Sequence, residues 1–456
     1  MIRMGFGLLA VFIIMETALL ALTFTKQKEK VKWLQNRVIF RAGEVVVFLM
    51  ALLLPQVAWD FRWKLCFYML LLRVVTSSIF FVIKRKKVSG NQSILGAVVN
   101  ACVGIVLLGL ALIPSFLFTG YQGLETTGIY EVEQTHAILV DGNRAEGFRT
   151  DGSKREVPIY FYYPKTENPG ENSFPLIIFS HGAFGYYQSN TSTYMELASH
   201  GYVVVSLDHP YHSFFTKNTK GELVTVDQNF IQAAMQVQAG DMQEEEEYEL
   251  TQEWIALRTA DMNFVLDTLE DAKTEGTCSN AWYVESAEMA DEILQVLVMT
   301  NTDQIGLMGH SLGGATSVTV GRMRGDIDAV IDIDGTMLGE KVGFADGVYE
   351  YYEDSYPIPL LSIDNERHYR EGVTENLHYV NNVVLENAAD SYHTYFIGSE
   401  HMNFTDLPLF SPPLASILEI GTIDETECVL KMNEIILQYF DHYLKGEGEL
   451  SIRESY

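Results

Sequence analysis

The sequence predicts an α/β fold, a mostly parallel eight-stranded sheet with helices on both faces, preceded by a four-helix transmembrane domain. Three observations carry that expectation. The first 120 residues hold four apolar runs of membrane-spanning length. Beyond Gly120 the apolar runs shorten to strand length and are interleaved with helix-like stretches. Charge divides at the same place: residues 1–120 carry 14 Lys/Arg and 4 Asp/Glu, the remainder 17 and 56, so a net of +10 gives way to −39. Two domains are therefore expected, residues 1–120 and 121–456. The acidic part lacks the basic footprint that phosphate backbones require, so nucleic acid is not an expected partner.

The four runs are Gly5–Phe24, Val38–Trp59, Leu65–Ile83 and Ile94–Phe118. Only helices satisfy backbone polar groups within such segments. The first is not expected to be a cleaved signal peptide, because a single Arg3 precedes it while Lys26, Lys28, Lys30 and Lys32 follow. The first loop adds Arg37, and the third carries Lys84, Arg85, Lys86 and Lys87; the opposite side has Arg3, Arg62 and Lys64. Nine basic residues against three place the first and third loops in the cytoplasm. A multi-pass cell-membrane protein with an extracytoplasmic second domain is expected. Glu16, Arg41, Glu44 and Arg73 fall inside the runs and need partners there; Glu16 with Arg73 is the expected pair.

In the second domain the expected strands are Thr135–Val140, Val157–Tyr162, Leu176–Ser180, Tyr202–Leu207, Ile305–Met308, Ala329–Ile333, Pro359–Ile363 and Tyr392–Ile397. Several are continuously apolar, as strands covered on both faces are. Between them, Thr251–Asp271 is helical in period, with Ile255, Met262, Val265, Leu266 and Leu269 on one face. The acidic run Glu244–Glu247 before it reads as a solvated helix end. Cys66 and Cys102 lie in apolar runs; Cys278 and Cys428 leave open either one bridge or two thiols.

Gly309-His310-Ser311-Leu312-Gly313 follows the strand Ile305–Met308 and leads into small residues suited to a helix. This is the context of a nucleophile elbow, a strained turn that exposes the serine hydroxyl at the end of the sheet. Serine needs a base. His401 lies just past the last strand; His393 begins that strand, His442 lies in a terminal helix, and His368 and His378 are weaker competitors. The base needs a carboxylate to fix its tautomer. Asp334 and Asp364 end the two strands after the elbow helix, and spacing alone leaves both open; Asp332 lies deeper in its strand. The oxyanion needs two fixed N–H donors. One is expected from Leu312 and one from the turn His181-Gly182-Ala183-Phe184-Gly185, at Ala183 with Phe184 in reserve; His181 reads as a buried residue that fixes the turn. Asp208, His209 and His212 have the chemistry of metal ligands but no further ligand cluster accompanies them, so no metal or other cofactor is expected.

The segments "PLIIFSHG", "GYVVVSLDHP", "GHSLGGAT", "VIDIDG", "PLLSIDNE" and "GSEHMNF" resemble, in order and spacing, the platelet-activating-factor acetylhydrolases of the plasma type, over roughly residues 130–445. The resemblance implies an α/β-hydrolase fold, a metal-free serine esterase and removal of short or oxidised acyl groups from the middle position of glycerophospholipids. It implies Asp334 rather than Asp364 as the acid, and Ala183 and Leu312 as oxyanion donors. The same motifs occur in dienelactone-hydrolase-like esterases and polyester hydrolases, so a generic carboxylesterase or lipase is the alternative in the same chemistry. A non-catalytic receptor or transport accessory is the alternative of another class, disfavoured by a complete Ser, Asp and His set. Expected partners are a membrane and a lipid or small ester, neutral or zwitterionic because an acidic domain is repelled by anionic lipid.

Overall fold

The computed structural model describes residues 2–25, 28–54, 57, 59–167, 170–372, 379–418 and 420–456. It divides into two compact units, Met1–Gln122 with Pro408–Ile417, and Gly123–Leu407 with Leu418–Tyr456. The expected boundary near residue 120 thus lies close to the first crossing. Pro408–Ile417, assigned by sequence to the second domain, packs with the first.

The first unit holds four long helices, α1 (Ile2–Ala21), α2 (Lys30–Ala51), α3 (Phe61–Lys84) and α4 (Ile94–Leu117). Asp60 and Ser93 start α3 and α4 by accepting N–H groups of their first turns. Three of these helices, rather than the expected four, are long and apolar enough to cross a membrane: Met4–Phe24, Phe61–Lys84 and Ile94–Leu117. The exception is α2, where Arg37, Arg41 and Glu44 interrupt the apolar sequence. Its charges are drawn inward. Glu16 pairs with both Arg41 and Arg73, and Glu44 lies 3.1 Å from Arg73 and 3.6 Å from Arg41. All four side chains are buried. The Glu16–Arg73 pair expected from sequence is therefore one edge of a four-residue network. In the same unit the Thr119 N–H donates to Phe410 O at 2.7 Å, and Ser411 Oγ donates to Leu117 O at 2.7 Å.

The second unit is built on a nine-stranded sheet, one strand more than expected. Its strands are β1 (Val132–Ala145), β2 (Lys154–Pro164), β3 (Phe174–Ser180), β4 (Val203–Leu207), β7 (Trp282–Tyr283), β8 (Thr300–His310), β9 (Ala329–Ile333), β12 (Leu360–Asn365) and β13 (Ser391–Phe396). Two small hairpins lie outside the sheet: β5 (Phe215–Lys217) with β6 (Leu223–Thr225), and β10 (Lys341–Ala345) with β11 (Val348–Tyr351). The extra strand, β7, has two residues paired with Leu139 and Ile138, too few for a periodic signal. The order is β13-β12-β9-β8-β3-β4-β2-β1-β7. All pairs from β13 to β4 are parallel; β2, β1 and β7 join antiparallel.

The continuous apolar strands feed two cores. Leu176 and Ile178 of β3, Val203 and Val205 of β4, and Leu307 of β8 enter one; Ile177, Phe179, Val204 and Met308 enter the other. The principal helices are α5 (Thr191–Ser199), α6 (Gln228–Ala239), α7 (Glu244–Glu275), α8 (Ala287–Met299) and α9 (Leu312–Met323). Met262, Val265, Leu266 and Leu269 of α7 cover the first face with α8 and part of α9; α5 and the helix Glu425–Phe440 cover the second. Because six neighbouring strands run parallel, the turns after β3, β4, β8, β9, β12 and β13 emerge on one edge, where α/β sheets carry their sites. Cys278 and Cys428 are free thiols, as are Cys66 and Cys102.

Candidate active site

Ser311 sits between β8 and α9 with φ 56° and ψ −125°, a strained conformation for a residue with a side chain. What holds it there is close packing on either side. A Cβ at Gly309 would lie 2.2 Å from the Gly313 carbonyl, and one at Gly313 would lie 1.9 Å from Ser180 O. The Ser311 N–H donates to Ile333 O at 2.8 Å, tying the elbow to the neighbouring strand.

Asp334 follows β9, is buried, and has φ 53°. His401 Nδ1 lies 2.5 Å from its Oδ2. Asp364, the alternative acid, is engaged elsewhere: His393 Nε2 lies 2.6 Å from its Oδ2 and Ser362 Oγ donates to its Oδ1 at 3.2 Å. The structure thus brings His401 and Asp334 together and separates Asp364 into a pair with His393. Asp332 is fully buried, and burial together with Asp364 and Asp334 pushes its carboxyl well above the ordinary range. His442 Nδ1 lies 3.1 Å from Gly448 O, remote in sequence from these loops, and His378 lies outside the described residues.

Asp334 has two further partners. Asn365 donates its N–H to Oδ1 at 2.8 Å and its side-chain amide to Oδ2 at 2.7 Å, and His368 Nδ1 reaches Oδ1 at 3.0 Å. Four donors therefore converge on one carboxylate. Burial alone would raise Asp334, but the two imidazoles outweigh it and hold the carboxyl well below its usual range. Burial would likewise lower His368; the Asp334 charge and hydrogen bond outweigh it and lift the imidazole to about 9. Among the described residues Asp334, His368 and His401 form the one group with metal-ligand spacing. Each oxygen of that carboxylate already accepts two hydrogen bonds, so the group reads as an ionic cradle around the acid. Sequence reasoning weighed His368 as a base and missed this second role; its place at the start of a short helix after β12 was the available signal.

The turn after β3 packs against the elbow. A Cβ at Gly182 would lie 3.2 Å from Ser311 Cβ and 2.9 Å from His310 Nδ1, so the approach needs glycine. Among the described residues neither the Ala183 N–H nor the Leu312 N–H has a partner; the latter opens α9, where intrahelical acceptors are lacking. The reserve donor is a different matter. Phe184, at φ 61°, donates its N–H to His212 O at 3.2 Å and is spent.

Beneath the turn lies a buried polar network that sequence reasoning did not anticipate. Arg258 and Asp261 of α7 are fully buried. Arg258 falls three residues after Ile255 and Asp261 four before Val265, beside the stripe that reads as apolar, and a charge there is the signal that was available. Asp261 accepts from Arg155 Nη2 at 2.6 Å and from His209 Nδ1 at 3.0 Å. Desolvation would raise its carboxyl, but the Arg155 charge and the hydrogen bonds from His209 and Arg155 together outweigh it and hold Asp261 ionised. Burial drives His209 down to about 4 and His212 to about 2, so both are neutral. Asp208 accepts from the Tyr187 N–H at 2.8 Å and from Thr216 Oγ1 at 2.7 Å. The three residues considered as metal ligands are therefore absorbed into this network and do not form a ligand group.

Two curated relatives align over 278 residues: platelet-activating factor acetylhydrolase of Canis lupus familiaris at 23% identity, and that of Bos taurus at 25%. In each case the match covers 59% of this chain and 57% of the relative, so the chain spans little more than half the length of either. Among solved structures, a ferulic acid esterase from Streptomyces cinnamoneus superposes with a TM-score of 0.52 at 19% identity, covering 71% of this chain and 93% of that one. That likeness identifies the second unit as an α/β-hydrolase fold. A family model described as platelet-activating factor acetylhydrolase, isoform II, matches residues 153–451, which contain the elbow, Asp334 and His401. The chain belongs to that family.

Proposed function

We propose that the chain is a membrane-anchored serine hydrolase of carboxylic esters. The observation that carries this is the hydrogen bond between His401 and Asp334 on the sheet edge where the strained elbow presents Ser311. Family membership supports the reaction class. His401, its Nδ1–H held by Asp334, accepts the Ser311 proton at Nε2 as the hydroxyl oxygen adds to the ester carbonyl. The oxyanion is met by the N–H groups of Ala183 and Leu312, which are fixed before substrate arrives. Collapse expels the alcohol, protonated by His401, and leaves an acyl-serine. Water, deprotonated by His401, then releases the acid and restores Ser311. No step calls for a metal.

The proposed substrates are phospholipids with short or oxidised acyl chains, supported by the names of the dog and cattle relatives. Hydrolysis of a series of 1-alkyl-2-acyl glycerophosphocholines tests this. Turnover should be highest for acetyl and fall at least tenfold by long unoxidised chains; a preference for long chains, or no cleavage of any member beside good cleavage of small esters, contradicts it. The proposed orientation has the hydrolase unit outside the cell. Support comes from α4, a helix long and apolar enough to cross: Lys84, Arg85, Lys86 and Lys87 precede it, and Arg144 is the first basic residue after it.

A further inference from the structure

The buried network under the Gly182 turn has a feature that the proposed reaction leaves unused. Arg258 Nη1 donates to His181 O at 2.5 Å, and its Nη2 donates to Gly182 O at 3.3 Å. One guanidinium therefore holds the carbonyls of two consecutive residues. Gly182 O also takes His181 Nδ1 at 2.7 Å and the Gly185 N–H at 3.1 Å. A carbonyl oxygen has no proton to give, so His181 Nδ1 carries the hydrogen. His181 Nε2 is then the acceptor and takes the Ser213 hydroxyl at 2.7 Å. Full burial, followed by the Arg258 charge, keeps His181 neutral, as this arrangement requires.

The consequence is stereochemical. A peptide unit is planar and trans, so its C=O and N–H point in opposite directions. Pinning Gly182 O toward Arg258 aims the Ala183 N–H away from Arg258. Gly182 itself stands against Ser311 Cβ. The fork of an arginine suits this task, since two N–H groups in fixed geometry meet two acceptors; a lysine ammonium has the charge without the fork. Desolvation lowers the guanidinium to about 9, which leaves it charged at neutral pH.

We propose that Arg258, with His181, is a positioning residue that aims the Ala183 N–H at the developing oxyanion. This rests on the reading of the site as a serine esterase with Ala183 as a donor. Losing one oxyanion donor lowers turnover by roughly 10²–10³. Arg258→Lys, which leaves the donor in place but loosely aimed, should lower kcat about 10- to 100-fold. KM should stay within about twofold, because the ground-state carbonyl draws little on the donor.

The probe is an aliphatic trifluoromethyl ketone. Ser311 Oγ adds to its carbonyl carbon, the Ser311 proton passes to His401, and the ketone oxygen becomes a bound oxyanion. Inhibitor affinity should weaken in proportion to the loss in kcat/KM. Circular dichroism identifies any variant that fails to fold. Should Arg258→Lys fail, Ser213→Ala tests the same peptide from the other side, by releasing the His181 tautomer; kcat and inhibitor affinity should then fall together by about threefold to tenfold, as for one weakened neutral hydrogen bond. Wild-type kcat in folded Arg258→Lys overturns the proposal, as does a loss of kcat with unchanged ketone affinity, in either variant. Ser311→Ala separates the two levels. If it keeps wild-type hydrolysis, the esterase reading itself fails; if it is inactive while Arg258→Lys turns over normally, that reading stands and the positioning role falls.

Discussion

Asp334→Asn tests the choice of acid, and the structure says how it should act. The Asn365 N–H reaching Oδ1 at 2.8 Å belongs to the backbone and remains a donor whatever faces it. The amide oxygen of a substituted asparagine must therefore take the Oδ1 place, and its NH₂ the Oδ2 place. That NH₂ would face two donors, His401 Nδ1, 2.5 Å from Oδ2 in the native site, and the Asn365 side-chain amide, 2.7 Å from it. Two donors cannot share either contact. His401 is driven to the tautomer with Nδ1 bare and the hydrogen on Nε2, the nitrogen that receives the Ser311 proton in the proposed mechanism. In serine proteases the equivalent tautomer error lowers turnover by roughly 10⁴. That is about 5.5 kcal/mol of transition-state stabilisation. Asp364→Asn disturbs only the contacts to His393 and Ser362, so its kcat should fall by less than about tenfold, the ordinary range for one hydrogen bond. The assay is the initial rate on a short p-nitrophenyl ester at pH 7.5, with thermal unfolding of both variants as control. If Asp364→Asn loses the four orders of magnitude and Asp334→Asn stays within tenfold of wild type, the tautomer argument is refuted.

Other expectations follow from the same contacts. His368 is lifted to about 9 by Asp334, so the pair contributes stability fully present below about pH 6.5 and lost as pH rises through 9. The unfolding free energy should decline across that window by at most about 3 kcal/mol, and His368→Gln should flatten the decline; a wild-type profile with no loss between pH 6.5 and 9.5 would contradict the pairing. Protease added to intact cells should remove the hydrolase unit and leave a membrane stub, whereas cleavage only after permeabilisation would invert the orientation.

Much of the architecture was legible because burial on both faces leaves a direct mark. Leu176–Ser180 and Tyr202–Leu207 read as continuous apolar runs, and each feeds alternate residues to opposite cores. The elbow was equally plain, since its glycines answer a steric demand within five residues. Two features could not be read. Pro408–Ile417 belongs with the helical unit through hydrogen bonds to Leu117 and Thr119, contacts almost three hundred residues apart in sequence. The network of Arg155, Arg258 and Asp261 joins β2 to α7; a charge beside the apolar stripe of α7 marks a buried group but does not say which partner on another element meets it. The count of spanning helices differs because Val38–Trp59 reads as one apolar run although Arg41 and Glu44 lie within it, and three helices rather than four are apolar enough.

The account turns on Ser311 as the nucleophile, and one measurement reaches it directly. Purified full-length protein in detergent would be treated with a fluorophosphonate probe, the labelled peptide identified by mass spectrometry, and ester hydrolysis followed in parallel. A single adduct on the peptide containing Ser311 is predicted, with loss of hydrolysis matching its formation, and Ser311→Ala should fold normally yet neither label nor turn over. An adduct on another residue that tracks the loss of activity, or a Ser311→Ala protein that still hydrolyses the ester at the wild-type rate, would contradict the account.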